Sequence, residues 1–180
     1  MKVLIINGSH RKGNTDLLLN QLILEIELLG FNVRQIFLRD HEINLPDGCA
    51  FCARAEVCPS MHDEFSSTVE PSLRGYDVYI IATPTWDDGV TPLTKIFWDR
   101  IVSWSHDDRK YLRDKKIALV THGMAGVESS NHLVNWVKSV CIWEHAKYAG
   151  SLVLTSGAEV GDILMDKSKL DNFVQDMFKS

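Results

Sequence analysis

A chain of 180 residues, 45% of them hydrophobic and 24% charged, has the make-up of a globular protein long enough to enclose a sizeable core. Its formal net charge of −5 argues against wholesale binding to nucleic acid or to an anionic membrane surface. No apolar run approaches the ~20 residues that cross a bilayer and no secretory leader is legible, so a cytoplasmic protein is expected.

The first strand is predicted over Lys2 to Asn7, an apolar run rich in branched residues that suits a buried strand. A polar loop from Gly8 to Thr15 follows, in which Gly8 and Gly13 are expected to allow sharp turns. Asn14 or Thr15 can cap the next helix. Leu19, Leu22, Ile23, Ile26 and Leu29 share one face of that helix, and Gly30 is placed to end it. Backbone amides, hydroxyls and Arg11 therefore converge at the positive end of a helix, a place to hold a phosphate. The loop fits neither the G-x-G-x-x-G nor the G-x-x-x-x-G-K-[ST] pattern.

Phe31 to Leu38 reads as a second strand, and from Arg39 to about His62 no clean period survives. Asp63-Glu64-Phe65 starts a helix that Pro71 should kink. Val78 to Ala82 is the third and most hydrophobic strand. The loop Thr83 to Val90 follows, then a helix with Pro92 at its first position and a stripe of Leu93, Ile96, Phe97, Ile101 and Trp104. Lys116 to Thr121 is a fourth strand ending in the loop His122 to Gly126, and Leu133, Trp136, Val137 and Val140 mark the helix after it. Ser151 to Thr155 is a fifth strand, followed by a glycine-bearing loop and a helix carrying Leu170, Phe173, Val174 and Met177.

Five strands alternating with helices imply a parallel sheet covered on both faces. One α/β domain over residues 1–180 is expected, with a long arm at about 39–62. With strand order 2-1-3-4-5, the loops after strands one, three and four open on one edge, where such sheets bind ligands.

These loops resemble those of the flavodoxin-like NAD(P)H-dependent FMN reductases, in particular the branch that includes the iron–sulfur flavoproteins. Gly8-Ser9-His10-Arg11-Lys12-Gly13-Asn14-Thr15 is similar to that family's G-S-x-R-x-G-N-T phosphate loop. Ala82-Thr83-Pro84-Thr85-Trp86, then Leu93-Thr94-Lys95 and Trp98-Asp99-Arg100, resembles its s-P-x-Y-W, L-x-K and f-x-D-R sequence, with Thr85 where a bulky residue often stands. Thr121 to Gly126 resembles its glycine-bearing loop near the flavin ring. The resemblance implies a flavodoxin-like sandwich that binds FMN. Ser9, Arg11, Asn14 and Thr15 would hold the phosphate. Pro84, Thr85, Trp86, Asp87 and Asp88 would lie along the ring on one side, and His122, Gly123 and Met124 on the other. Asp87 and Asp88 depart from what an anionic reduced ring favours, and a solvated turn is the simpler reading of them. Lys95, Asp99 and Arg100 are expected to fix the helix or a subunit contact.

Cys49, Cys52 and Cys58 match the last three positions of the C-x2-C-x2-C-x5-C cluster run of the iron–sulfur flavoproteins, while Pro46 occupies the first. Three thiolates leave one iron without its usual ligand. A Cys3His zinc set with His62 is a second possibility, and thiols retained in a metal-free loop are the preferred reading. Cys141 is expected to be packed in its helix.

The function expected is an FMN-dependent oxidoreductase. NADH or NADPH would donate electrons, and a quinone, free flavin or other small aromatic would accept them with ping-pong kinetics, hydride transfer being carried by the flavin with no protein catalytic residue assigned. The alternatives are a flavodoxin-type electron carrier and a flavin or thiol redox sensor with protein partners. The resemblance also implies a homodimer or homotetramer, in keeping with five tryptophans in 180 residues.

Overall fold

The computed structural model describes residues 1–49, 62–105, 112–125 and 130–179, with backbone alone at 102–105. Five parallel strands form one sheet in the order β2-β1-β3-β4-β5. They are β1 (Lys2–Asn7), β2 (Asn32–Phe37), β3 (Val78–Pro84), β4 (Lys116–Gly123) and β5 (Lys147–Thr155). The helices are α1 (Asn14–Leu28), α2 (Glu70–Ser72, continuous with a π-helical turn at Phe65–Val69), α3 (Pro92–Ser105), α4 (Asn131–Trp143) and α5 (Lys167–Phe178). This is the flavodoxin-like α/β topology.

Strand alternation sends the residues of β1 to two cores. Val3 and Ile5 pack with Leu18, Leu22 and Ile26 of α1 and with Leu170, Phe173 and Val174 of α5. Leu4 and Ile6 pack on the other face with Phe97 and Trp98 of α3 and Leu133 and Val137 of α4. The central strands are buried on both faces, which is why they read as unbroken apolar runs. On α1 the buried stripe includes Leu18, while Leu29 is half exposed, because Gly30 adopts φ 80° and the chain turns away there.

Three strands reach further than their apolar patterns suggest. β3 continues through Thr83 and Pro84, β4 through His122 and Gly123, and β5 begins at Lys147. Polar residues at strand ends carry no apolar period, yet the ladder pairs Pro84 with His122 and Gly123 with Thr155. Residues predicted as loop are thus held in register by backbone pairing.

A buried ion pair closes the base of the cysteine-bearing arm. Arg100 on α3 makes a two-pronged contact with Asp63, Nη2 lying 3.0 Å from Oδ1. Its guanidinium also donates to the carbonyl of Asn44 at 3.1 Å and to Ser66 Oγ at 3.1 Å. Asp63 in turn accepts the backbone N–H of Asn44 at 2.8 Å. Asn44, before the cysteines, and Asp63, after them, are therefore tied to one helix. Burial alone would raise the Asp63 pKa, but the Arg100 bond, the Asn44 and Ser66 amides and the Arg100 charge hold it at about 2. Lys95, by contrast, pairs with Asp99 one turn along α3 at the surface. Removing one partner of a buried pair strands the other charge. Asp63→Ala should lower the unfolding free energy by about 3 kcal/mol in urea titrations, whereas Asp99→Ala should change it by less than about 0.5 kcal/mol.

Candidate functional site

The first loop is built from its own polar side chains. Asn7 ends β1, and its Oδ1 accepts the Ser9 amide at 3.0 Å while its Nδ2 donates to Asp16 at 2.8 Å. Asp16, in the first turn of α1, also accepts the Gly13 amide at 3.1 Å and pairs with Arg39 at 3.0 Å. Its charge thus suits both the positive helix end and a neighbouring cation. Ser9 Oγ donates to the Arg11 carbonyl at 2.9 Å, closing the turn.

The two glycines of this loop serve differently from the expected sharp turning. Neither has a positive φ, and Gly13 is extended at φ −174°. At Gly8 the constraint is space. A Cβ there would come within 1.9 Å of Thr94 Oγ1 on α3. Thr91 Oγ1 donates to the Gly8 carbonyl at 2.6 Å and accepts the Thr94 amide at 3.2 Å, so one hydroxyl caps α3 and grips the loop. At Gly13 the nearest atom to a Cβ lies 3.7 Å away, an ordinary contact.

Ser9, Arg11, Asn14, Thr15, Pro84, Thr85, Trp86, His122, Gly123 and Met124 line a single cavity of about 300 Å³ at the C-terminal edge of the sheet. Asp87 and Asp88 do not. They adopt φ 44° and 57° at the centre of a two-residue turn closed by mutual bonds between Trp86 and Gly89, and both side chains are exposed. Such turns need positive φ at both central residues, which Asp tolerates better than most. Both side chains thus stand in a solvated turn outside the cavity lining.

His10, Gly13, Ser156, Gly157 and Ala158 complete the lining, and sequence reasoning missed all five as site residues. His10 stacks on Trp86 with ring centroids 4.7 Å apart and planes 12° off parallel, bridging the first and third loops at the rim. Burial lowers the His10 pKa. The loop after β5 arrives because α5 and α1 lie on the same face of the sheet, which returns it to the start of α1. Arg11 Nη2 donates to the Ala158 carbonyl at 2.7 Å. Asn14 donates to the Glu159 carbonyl at 2.9 Å and accepts the Gly161 amide at 2.7 Å. Asn14, expected on the phosphate, thus spends its amide on this loop. The glycine-bearing stretch after the fifth strand was the available signal, but no periodicity places it beside the first loop.

His122 sits at the centre, with Nε2 2.8 Å from Thr15 Oγ1 and Nδ1 2.8 Å from Ser156 Oγ. It is 6% exposed. Burial, with a smaller contribution from the Arg11 charge, lowers its pKa to about 4, so the ring is neutral at physiological pH.

Of the cysteine-loop residues, Cys49 is exposed with a free thiol and His62 is exposed, while Cys52 and Cys58 lie outside the described residues. Cys141 is buried as expected, and burial pushes its thiol up to about 11.

Two outcomes follow from this geometry. Gly8→Ala should destabilise the fold by about 1–3 kcal/mol through overpacking against Thr94, while Gly13→Ala should stay within about 0.5 kcal/mol, both read by chemical denaturation. Because the folded-state pKa of His122 lies below its unfolded value, the unfolded chain takes up the proton first on acidification. Stability contributed by neutral His122 is full above pH 6.5 and is lost as pH falls toward 4. The loss is of order 3 kcal/mol, and His122→Gln should remove that segment of the stability profile.

The family model described as NADPH-dependent FMN reductase matches residues 1–155. An iron–sulfur flavoprotein of Archaeoglobus fulgidus is 36% identical over 100 residues, which cover 56% of this chain and 48% of that protein. The chain thus spans about half the length of that relative. An iron–sulfur flavoprotein of Clostridioides difficile is 29% identical over 161 residues, covering 87% of this chain and 68% of that protein. Among solved structures, the Trp repressor binding protein from Bacillus subtilis shares the fold, with a TM-score of 0.68 at 20% identity, covering 99% of this chain and 98% of that one. FMN is the flavin of the matched family and NADPH its donor. With the match extending over most of the sequence, the chain belongs to the NADPH-dependent FMN reductase family.

Proposed function

We propose that this protein is an FMN-dependent NAD(P)H oxidoreductase that passes electrons to a quinone, a free flavin or another small aromatic acceptor. The observation that carries this reading is the two-ended character of this cavity. Its polar end is formed by Ser9, Arg11 and the first turn of α1, and its less polar end by Pro84, Thr85, Trp86, Gly123 and Met124.

The residues present fit FMN. The first amides of a helix have no acceptor inside the helix, so Asn14 and Thr15 offer backbone donors where α1 begins. Arg11 adds a charge suited to a phosphate that brings up to two negative charges. Asp16, the carboxylate closest in sequence to this end, is already paired with Arg39 and so repels an anion less. At the other end, Gly123 keeps the wall close. A Cβ there would lie 1.8 Å from Thr85 Oγ1, and the Thr85 amide donates to the His122 carbonyl at 2.9 Å. Bound FMN supplies the electron-transfer chemistry, taking electrons from NAD(P)H and yielding them to the acceptor. The chain's part is to hold, orient and shield. Arg11 and Thr15 anchor the anionic end, Ser9 holds the turn that presents them, and Trp86 with its stacked partner His10 forms an aromatic rim, over which a flat acceptor can lie.

Trp86 is 51% exposed and Met124 73% exposed, which suits an apolar small molecule arriving from solvent. Ile142 and Trp143, at the end of α4, are exposed apolar residues of the kind that favours assembly into a homodimer or homotetramer. Sedimentation at micromolar concentration tests that assembly, and a monomer would overturn it.

Purified protein reconstituted with FMN should show flavin absorption bands and oxidise NADH or NADPH when a quinone, flavin or azo-aromatic is supplied, with parallel-line kinetics. No oxidation with any acceptor at saturating FMN would overturn the reading. Arg11→Ala with Thr15→Ala should weaken FMN binding by at least tenfold while leaving the far-ultraviolet circular dichroism unchanged.

A further inference from the structure

Thr15, His122 and Ser156 form a buried, continuous hydrogen-bonded chain. Thr15 is 2% exposed, His122 6% and Ser156 5%, and all three line the cavity. Ser156 is the first residue beyond the segment that the family model matches. Its backbone is fixed from both sides, because its amide donates to the Gly123 carbonyl at 3.1 Å and it bridges to Ile163. The Ser156 hydroxyl is thus preset against His122 rather than swinging with a loose loop.

A neutral imidazole has one N–H and one lone pair, so the two hydroxyls beside it cannot both donate to it. Two arrangements exist. With the proton on Nδ1, the ring donates to Ser156 and accepts from Thr15, which consumes the only proton of the Thr15 hydroxyl. With the proton on Nε2, Ser156 donates to Nδ1 and the ring donates to Thr15. The Thr15 hydroxyl then keeps its proton for another acceptor. Thr15 stands in the first turn of α1 and Ser156 does not, so an anion drawn to that helix end meets Thr15. An oxygen lone pair presented to a phosphate repels it, whereas a hydroxyl proton presented to it forms a charge-assisted bond.

We propose that Ser156 and His122 are positioning residues for the phosphate of FMN. Ser156 donates to His122 Nδ1, which places the imidazole proton on Nε2 and leaves the Thr15 hydroxyl free to donate to the phosphate. This rests on the flavin reading above and adds to it a residue outside the matched segment. It also assigns the ring a binding role with no proton transfer. Burial serves it directly, because a charged imidazolium would donate at both nitrogens and would not need Ser156 as a donor.

The test compares FMN with riboflavin, which has the same ring and no phosphate. Nitrogen-15 spectra of histidine-labelled, FMN-loaded protein should show the Nε2–H tautomer for His122. Ser156→Ala should weaken FMN binding about tenfold, the loss expected when one bond to a charged group is impaired, and leave riboflavin binding unchanged. Unchanged riboflavin binding also shows that the variant is folded. In a His122→Gln background, where a side-chain amide can donate to Thr15 by itself, Ser156→Ala should cost FMN less than twofold. An Nδ1–H tautomer, equal losses for FMN and riboflavin, no loss for FMN, or the same tenfold loss in both backgrounds would overturn the proposal. Failure of the flavin reading is seen separately, as wild-type protein that binds neither FMN nor riboflavin.

Discussion

The site depends on one constraint, the reversal of strand order between β1 and β3. The chain leaves β1, pairs β2 on one side, and then returns to pair β3 on the other, so the connections from β1 and β3 depart to opposite faces of the sheet. A crevice must open between them. Gly8 sits at its floor, where the first loop passes so close to α3 that a methyl group has no room. Thr91 fastens that contact with one hydroxyl that also caps α3. The first loop is therefore set by the start of a helix 83 residues later.

Charge is handled locally throughout the site. Asp16 is matched by Arg39, the Gly13 backbone amide and the Asn7 side-chain amide, so the beginning of α1 remains electropositive despite an acidic first turn. His122 is kept neutral by burial, which preserves both a donor and an acceptor in one ring and allows a directional chain of hydrogen bonds. Asp87 and Asp88 are turned to solvent by the left-handed backbone of their turn. Among the described residues, the cavity lining carries one strong cation, Arg11, beside uncharged groups. That arrangement favours an anionic ligand with a flat uncharged portion. Away from the cavity, the buried Arg100–Asp63 pair ties Asn44 and Asp63, on either side of the cysteines, to α3.

What was legible in the sequence was whatever repeats with a period or punctuates one. The five strands, their alternation with helices, the end of α1 at Gly30, the start of α3 at Pro92 and the burial of Leu170, Phe173, Val174 and Met177 all follow from apolar spacing and from residues with special backbone preferences. Strand order brings three loops together, and ten of the residues predicted there share one cavity, from Ser9 to Met124. Only the tertiary structure decided the rest. Polar strand ends such as Pro84 and His122 are held by pairing with a neighbour, which leaves no mark on either segment alone. The loop after β5 joins the site because α5 packs beside α1, a consequence of which sheet face each helix covers. Ser156 and Thr15 are 141 positions apart, yet both bond the same imidazole ring. Short-range spacing records the local chemistry of a segment, whereas contacts across that separation are created by packing.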